Sequence, residues 1–206
     1  HTLEGLVGKS HAQALWDLGL EGVETVCELI REFNIDCELK TGNLHVAATA
    51  KAARELEEEV EHLSTSYGYT GLSYLPADEL QGATSAQGFH GGVMDTGSRH
   101  LHPLKYALGL ADAALQLGAT LHEGSRVTGY EEGDKVRVVT AEGSVIADHV
   151  VLACNGYLEK LEPRVAGQIM PINNYMLATE PLDETTARRL IRDDASMSDS
   201  RFVINY

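Results

Sequence analysis

The sequence predicts an α/β chain of mixed character, in which a parallel-sheet piece and a β-meander are joined to a second, mixed sheet. Three observations carry that expectation. Val150, Val151 and Leu152 form an unbroken apolar run, too short for a helix and β-branched enough for a strand buried on both faces. Just before it, three strand-like segments are separated by Glu132-Gly133-Asp134 and Glu142-Gly143 turns, the pattern of an antiparallel meander. Elsewhere, long amphipathic helices are interleaved with short, widely spaced strands that look half-exposed, which suits a mixed sheet.

Taken in order, His11 to Phe33 reads as a helix. Ala14, Leu15, Leu18, Val23, Val26, Leu29, Ile30 and Phe33 recur at spacings of three and four. Lys40-Thr41-Gly42-Asn43 is a turn and Leu44 to Ala47 a short strand, after which Thr49 caps a helix over Ala50 to Ser66. The acids of its EEEVEH segment read as a solvated face. A strand over Leu72 to Leu75 runs into a helical turn at Pro76 to Leu80. Gly88 to Thr96 is strand-like, and its Gly91-Gly92 pair marks a bulge or a close backbone approach. Leu101 to Leu117 is a helix with Pro103 in its first turn and Gly118 at its end.

Ala119 to His122 is expected to be a short strand of the parallel sheet. The meander follows as Val127 to Glu132, Lys135 to Thr140 and Ser144 to Ala147, feeding the buried strand at 149–153. Leu158 to Arg164 is a connector, Val165 to Pro171 is extended, and Ile172 to Ala178 is a loosely alternating strand. Asp183 caps a helix to Arg192, DDASMSDS is a polar loop, and the apolar run from Arg201 to Tyr206 reads as a strand whose residues 202–206 pair with 172–178.

Composition narrows the class of partner. A net charge of −15 over 206 residues argues against nucleic acid and against anionic membrane surfaces, while 43% hydrophobic content suffices for a core. No apolar run reaches transmembrane length. Cys27, Cys37 and Cys154 are odd in number and scattered, as in the reduced thiols of a cytoplasmic protein. The chain opens without Met and closes on an apolar run, which reads as an internal portion of a longer polypeptide.

The buried run ends in Ala153-Cys154-Asn155-Gly156, residues small enough for a flat ligand to approach the backbone. Ligands of open α/β sheets collect outside the carboxyl ends of parallel strands, so this turn is the first candidate for a cofactor contact. His100 and His102, with His90 nearby, lack the third ligand and fixed geometry of a metal site and read as solvated loop histidines, so no metal is expected. Gly5 to Ser10 lacks the spacing of a phosphate loop.

The segments GGVMDTGSRHLHPLKYALGLADAALQLGATLHEGSRV, ADHVVLACNGYLEKL and VAGQIMPINNYMLATEPL, in that order, resemble the FAD-dependent oxidoreductases of the D-amino-acid oxidase, glycine oxidase and sarcosine oxidase superfamily. LHPLKYALGLA, ATEPL and the RFVINY end are most similar to its γ-glutamylputrescine oxidoreductase branch. The resemblance implies FAD, a Rossmann-like cofactor domain built from discontinuous pieces, and a mixed-sheet substrate domain over the flavin. The expected continuity of the sheets assigns 97–157 to the cofactor domain and 1–96 with 158–206 to the substrate domain. The resemblance also implies that the backbone of Val127 meets the adenine, and that Ala153, Cys154, Asn155 and Gly156 pass close to the adenosine and pyrophosphate.

Tyr175, on the expected strand 172–178, is the best pocket candidate, and no residue is identified as catalytic. The implied activity is oxidation of a C–N bond of a small amine or amino acid to an imine. The alternatives are a glycerol-3-phosphate dehydrogenase-like flavoenzyme and a non-catalytic α/β binding module on the same scaffold. The family's GxGxxG fingerprint is absent from the sequence, so this piece alone is expected to be inactive and to bind FAD poorly.

Overall fold

The computed structural model describes residues 2–201, with the side chain of Thr2 left aside. Its contacts fall into two units: residues up to Gly118 together with those from Glu180, and Ala119–Thr179.

The first unit is built on a four-stranded mixed sheet. β1 (Lys40–Val46) pairs antiparallel with β3 (Gly91–His100), β3 pairs antiparallel with β2 (Leu72–Pro76), and β7 (Ser196–Asp199) lies parallel to β1 at the far edge. Alternation along β1 decides what each face does. Leu44 and Val46 are fully buried and cluster with Leu80, Ala83, Phe89, Met94 and Met197. Asn43 and His45 point the other way and meet the serines of β7: Asn43 Nδ2 donates to Ser196 Oγ at 2.9 Å, and His45 Nδ1 lies 2.8 Å from Ser198 Oγ. The segment read as a polar loop is therefore an edge strand. Its Met197 supplies the single apolar side chain that the core face needs, and its flanking serines satisfy the polar face.

The helices follow the periodicity closely. α1 (Thr2–Val7) and α2 (Lys9–Glu32) are separated at Gly8, whose φ is 79°. α3 (Ala50–Tyr67) is capped by Thr49, which accepts from Ala52 N at 3.1 Å, and it ends in left-handed Gly68. A single turn, α4 (Ala77–Leu80), follows β2. α5 (Pro103–Gln116) begins with Pro103 in its first turn and stops before Gly118. The histidines at its start have local partners: exposed His102 caps α5, and His100 Nε2 lies 2.8 Å from the carbonyl of Asp194. A second core, Ile30, Ile35 and Cys37, joins the end of α2 to Leu101, Tyr106 and Leu110. α7 (Glu184–Leu190) is capped by Asp183. The expected close approach at Gly91-Gly92 is present: a Cβ on Gly92 would lie 2.9 Å from the carbonyl oxygen of His45.

The second unit holds the meander as β4 (Val127–Glu131), β5 (Val136–Thr140) and β6 (Ser144–Ala147). Several expectations fail here. Residues 119–122 and 149–153 form no strand; they pair with no described residue, and Val151 is 85% exposed. An apolar β-branched run favours a strand, but a parallel strand exists only where neighbours complete its ladder. Residues 172–178 belong to no described strand and are exposed, and their expected partner at 202–206 lies outside the described residues. The stretch expected to be extended from Val165 instead begins in a helical turn, α6 (Pro163–Ala166), with Pro163 at its first position and Glu162 as its cap.

Leu158 and Glu162 are the only buried residues described in this unit. The Glu162 carboxylate accepts from the phenol of Tyr130 on β4, from Arg164 Nε at 2.9 Å and from Arg164 N at 3.0 Å. The Arg164 guanidinium, the Tyr130 phenol and the Arg164 amide hold its carboxyl down at about 2.

Three outcomes follow for stability. Leu44→Ala should cost the first unit about 2–5 kcal/mol, read as a lower urea midpoint. Gly92→Ala should also destabilise it, because the opposing atom is backbone and cannot rotate away. In the second unit the Glu162 carboxyl is depressed relative to the unfolded chain. Its stabilisation is thus complete above the ordinary value of 4.5 and is lost as pH falls toward about 2. Tyr130→Phe should flatten that acid limb in a pH series of thermal melts.

Candidate functional site

Within the second unit, the start of β4 and the segment after β6 enclose a cavity of about 600 Å³. Arg126, Val127 and Thr128 form one wall; Cys154, Tyr157 and the turn from Leu158 to Leu161 form the other. The turn begins as a short 3-10 helix at Asn155–Tyr157, entered through Asn155 in the left-handed region (φ 48°), a conformation asparagine tolerates better than most residues. β4 carries a bulge between Val127 and Gly129. A bulge breaks the regular ladder and leaves main-chain groups for other partners.

Two links brace the walls. Arg126 forms an ion pair with Glu159 across the opening, exposed on both sides and thus weak. The Tyr130–Glu162–Arg164 network fixes the far end of the turn to β4, with Glu162 only 7% exposed. The hydrogen bond to Glu162, followed by burial, pushes the Tyr130 phenol up, so it remains a donor.

The cavity brings together two of the five residues expected at the cofactor, Val127 and Cys154. Ala153, Asn155 and Gly156 are adjacent in sequence and exposed but do not line it. A Cβ on Gly156 would meet only Pro171 Cβ, at 3.8 Å, an ordinary contact, so the fold itself does not demand glycine there. Tyr175 is 87% exposed and lines no cavity described here. Tyr130, Glu162, Arg126 and Glu159 are not singled out by the sequence; the one local signal for Glu162 is the Glu162-Pro163 pair, which has the form of a helix start.

These residues are compatible with the adenosine end of a dinucleotide: Val127, Leu158 and Leu161 give apolar surface beside a bulge in β4, and the cations Arg126 and Lys160 also line the cavity. They do not supply a pyrophosphate site, because no helix of the unit is long enough to present a useful N-terminus.

The first unit has its own cavity, about 490 Å³, between the sheet and helices α2 and α3. Trp16, Leu20, Val60, Leu63 and Val93 make it largely apolar, and Tyr69 and Asp95 form its polar end. Asp95 accepts from Tyr69 Oη at 2.6 Å, Gly97 N at 2.8 Å and Ser98 Oγ at 2.6 Å. Burial, then the Asp95 carboxylate, pushes the Tyr69 phenol up to about 12. It is thus a fixed donor and no base near neutrality. A Cβ on Gly97 would fall 1.9 Å from Tyr69 Oη, so glycine is what admits this phenol. The indole Nε1 of Trp16 is buried without a hydrogen-bond partner, between the rings of Tyr67 and Tyr69 at 5.4 and 5.3 Å.

No described helix is long and apolar enough to cross a membrane. Known proteins place the chain in context. The profile of the family DAO, FAD dependent oxidoreductase, matches residues 3–206. The probable oxidoreductase OrdL of Rhizobium meliloti is 35% identical over 98% of this chain and 47% of its own length. The gamma-glutamylputrescine oxidoreductase of Escherichia coli is 34% identical over 100% of this chain and 48% of its own. The chain therefore spans about half the length of the curated relatives it matches.

Among solved structures, L-proline dehydrogenase from P. horikoshii superposes with a TM-score of 0.63 at 16% identity, over 86% of this chain and 49% of that one. Glycine oxidase from Geobacillus kaustophilus gives 0.57 at 24% identity, over 75% and 41%. Both likenesses speak to the fold alone, and both agree with the α/β class and the mixed sheet. Joined to a profile match that runs through nearly every residue, they lead to one conclusion: the chain belongs to the DAO family of FAD-dependent oxidoreductases.

Proposed function

We propose that this chain serves a flavoenzyme that oxidises a C–N bond of a small amine or amino acid to an imine, which water then hydrolyses. The relative from Escherichia coli makes a γ-glutamylputrescine-like compound a candidate substrate. Bound FAD supplies the two-electron acceptor for such an oxidation. The observation that carries the reading is the cavity where Val127 and Cys154, far apart in sequence, stand on facing walls.

The chain's own residues then have distinct tasks. The main chain at Val127 meets the adenine, Cys154 limits the depth of the cavity, and Ala153, Asn155 and Gly156 leave the approach to the pyrophosphate open. By role, 97–157 belongs with the cofactor and 1–96 with 158–206 belongs with the substrate, a division of function that differs from the division by compactness at Gly118 and Thr179. Tyr175 remains a candidate pocket residue if its segment is covered when substrate binds. The acidic surface and unpaired thiols suit a cytoplasmic enzyme acting on a small molecule, without nucleic acid or an inserted membrane anchor as partner.

The full-length protein should purify with a visible flavin absorption band, whereas a colourless, well-folded protein that takes up no added FAD would favour a non-catalytic binding module. This 206-residue chain by itself should purify without flavin. In the full-length protein, Gly156→Val should weaken FAD binding by roughly ten- to a hundredfold, the effect of an overpacking clash of about 1–3 kcal/mol. The far-UV circular dichroism should stay unchanged. Full flavin occupancy in that variant would move the cofactor away from the turn.

A further inference from the structure

The second unit has almost no apolar core, yet it holds a cavity with defined walls. Its two buried residues sit side by side in function: Leu158 lines the cavity, and Glu162 ends the wall that Leu158 belongs to. From Cys154 to Leu161 the wall contains no regular strand or long helix to stiffen it. What ties it to the opposing wall is the exposed Arg126–Glu159 pair and the buried contact of Glu162 with Tyr130. Exposed pairs contribute little. A carboxylate with several charge-assisted hydrogen bonds contributes more and has a defined geometry.

We infer that Glu162 is a positioning residue for the cofactor cavity, holding the Cys154–Leu161 wall at its working distance from Val127 through Tyr130 and Arg164. The inference rests on the reading of this cavity as the adenosine site. Glu162 touches no part of the ligand; it acts through the turn. Its Oε1 caps α6 by accepting from Arg164 N at 3.0 Å. Its other oxygen faces the Tyr130 phenol, and Tyr130 stands three residues beyond Val127 on the same strand. Strand and turn are thereby fixed to each other within one side-chain length of the cavity. The carboxyl, held at about 2, stays ionised throughout the neutral range, so the latch does not open there.

The test uses the full-length protein stripped of flavin, with ADP as a probe of the adenosine–pyrophosphate half and FAD as the whole ligand. Glu162→Gln and Tyr130→Phe should each weaken ADP and FAD by about tenfold, as expected for loss of a hydrogen bond to a charged group. At saturating FAD both variants should regain the wild-type visible spectrum, which a general structural lesion would not allow. Tyr130→Phe keeps the carboxylate and its bonds to Arg164, so it carries the test if Glu162→Gln does not fold. Wild-type affinity for ADP and FAD in Tyr130→Phe would overturn the inference while leaving the cavity reading intact. A third variant, Cys154→Trp, fills the cavity directly. If it binds ADP as well as wild type does, the adenosine reading fails, and the inference fails with it.

Discussion

A buried carboxylate sets the shape of the second unit. Glu162 is one of only two buried residues described there, so packing of apolar side chains cannot be what fixes its geometry. Withdrawing a carboxylate from water is costly unless hydrogen bonds and a counter-charge replace the lost solvent. Here a phenol, a guanidinium and a main-chain amide do so together. The interaction tolerates few arrangements, and the one it selects brings the start of β4 opposite the turn at Cys154. The large apolar surface left on Val151, Ile172, Met176 and Leu177 gives the unit no comparable constraint.

The first unit works differently. Strand alternation in β1 sends Leu44 and Val46 into one core and presents Asn43 and His45 to the opposite face, so the two sides of one sheet acquire separate roles. On the polar side the sheet carries a cavity whose end is a hydrogen-bonded Tyr69–Asp95 pair, made possible by the bare backbone at Gly97. The apolar walls and the fixed donor describe a place that binds and orients, with His45 among its polar lining residues.

Much of this was legible in the sequence where the determinants are local. Thr49 and Asp183 as caps, Pro103 in a first turn, Gly118 as a stop and the two Gly-containing turns of the meander all act within a few residues, and all appear as expected. Gly91-Gly92 announced a close approach that the carbonyl of His45 makes. The failures concern pairing. Val150 to Leu152 and 172–178 have strand-like composition, but composition cannot say whether a ladder partner exists. Conversely Ser196 to Asp199 looks like a loop and becomes a strand because β1 offers an edge with complementary groups. At the site, Cys154 was legible from the small-residue turn that ends an apolar run, whereas Val127 came from the family resemblance. Tyr130 and Glu162 are 32 residues apart, and no local rule connects them.

The central claim is that the cavity between β4 and the Cys154 turn receives the adenosine end of FAD. A crystal structure of the full-length, flavin-loaded protein tests it most directly. The account predicts the adenosine seated between the two walls, with its adenine within hydrogen-bond reach of the Val127 main chain and the Glu162–Tyr130 contact intact. Adenosine bound at another part of the fold, with this cavity closed by protein side chains, would contradict it.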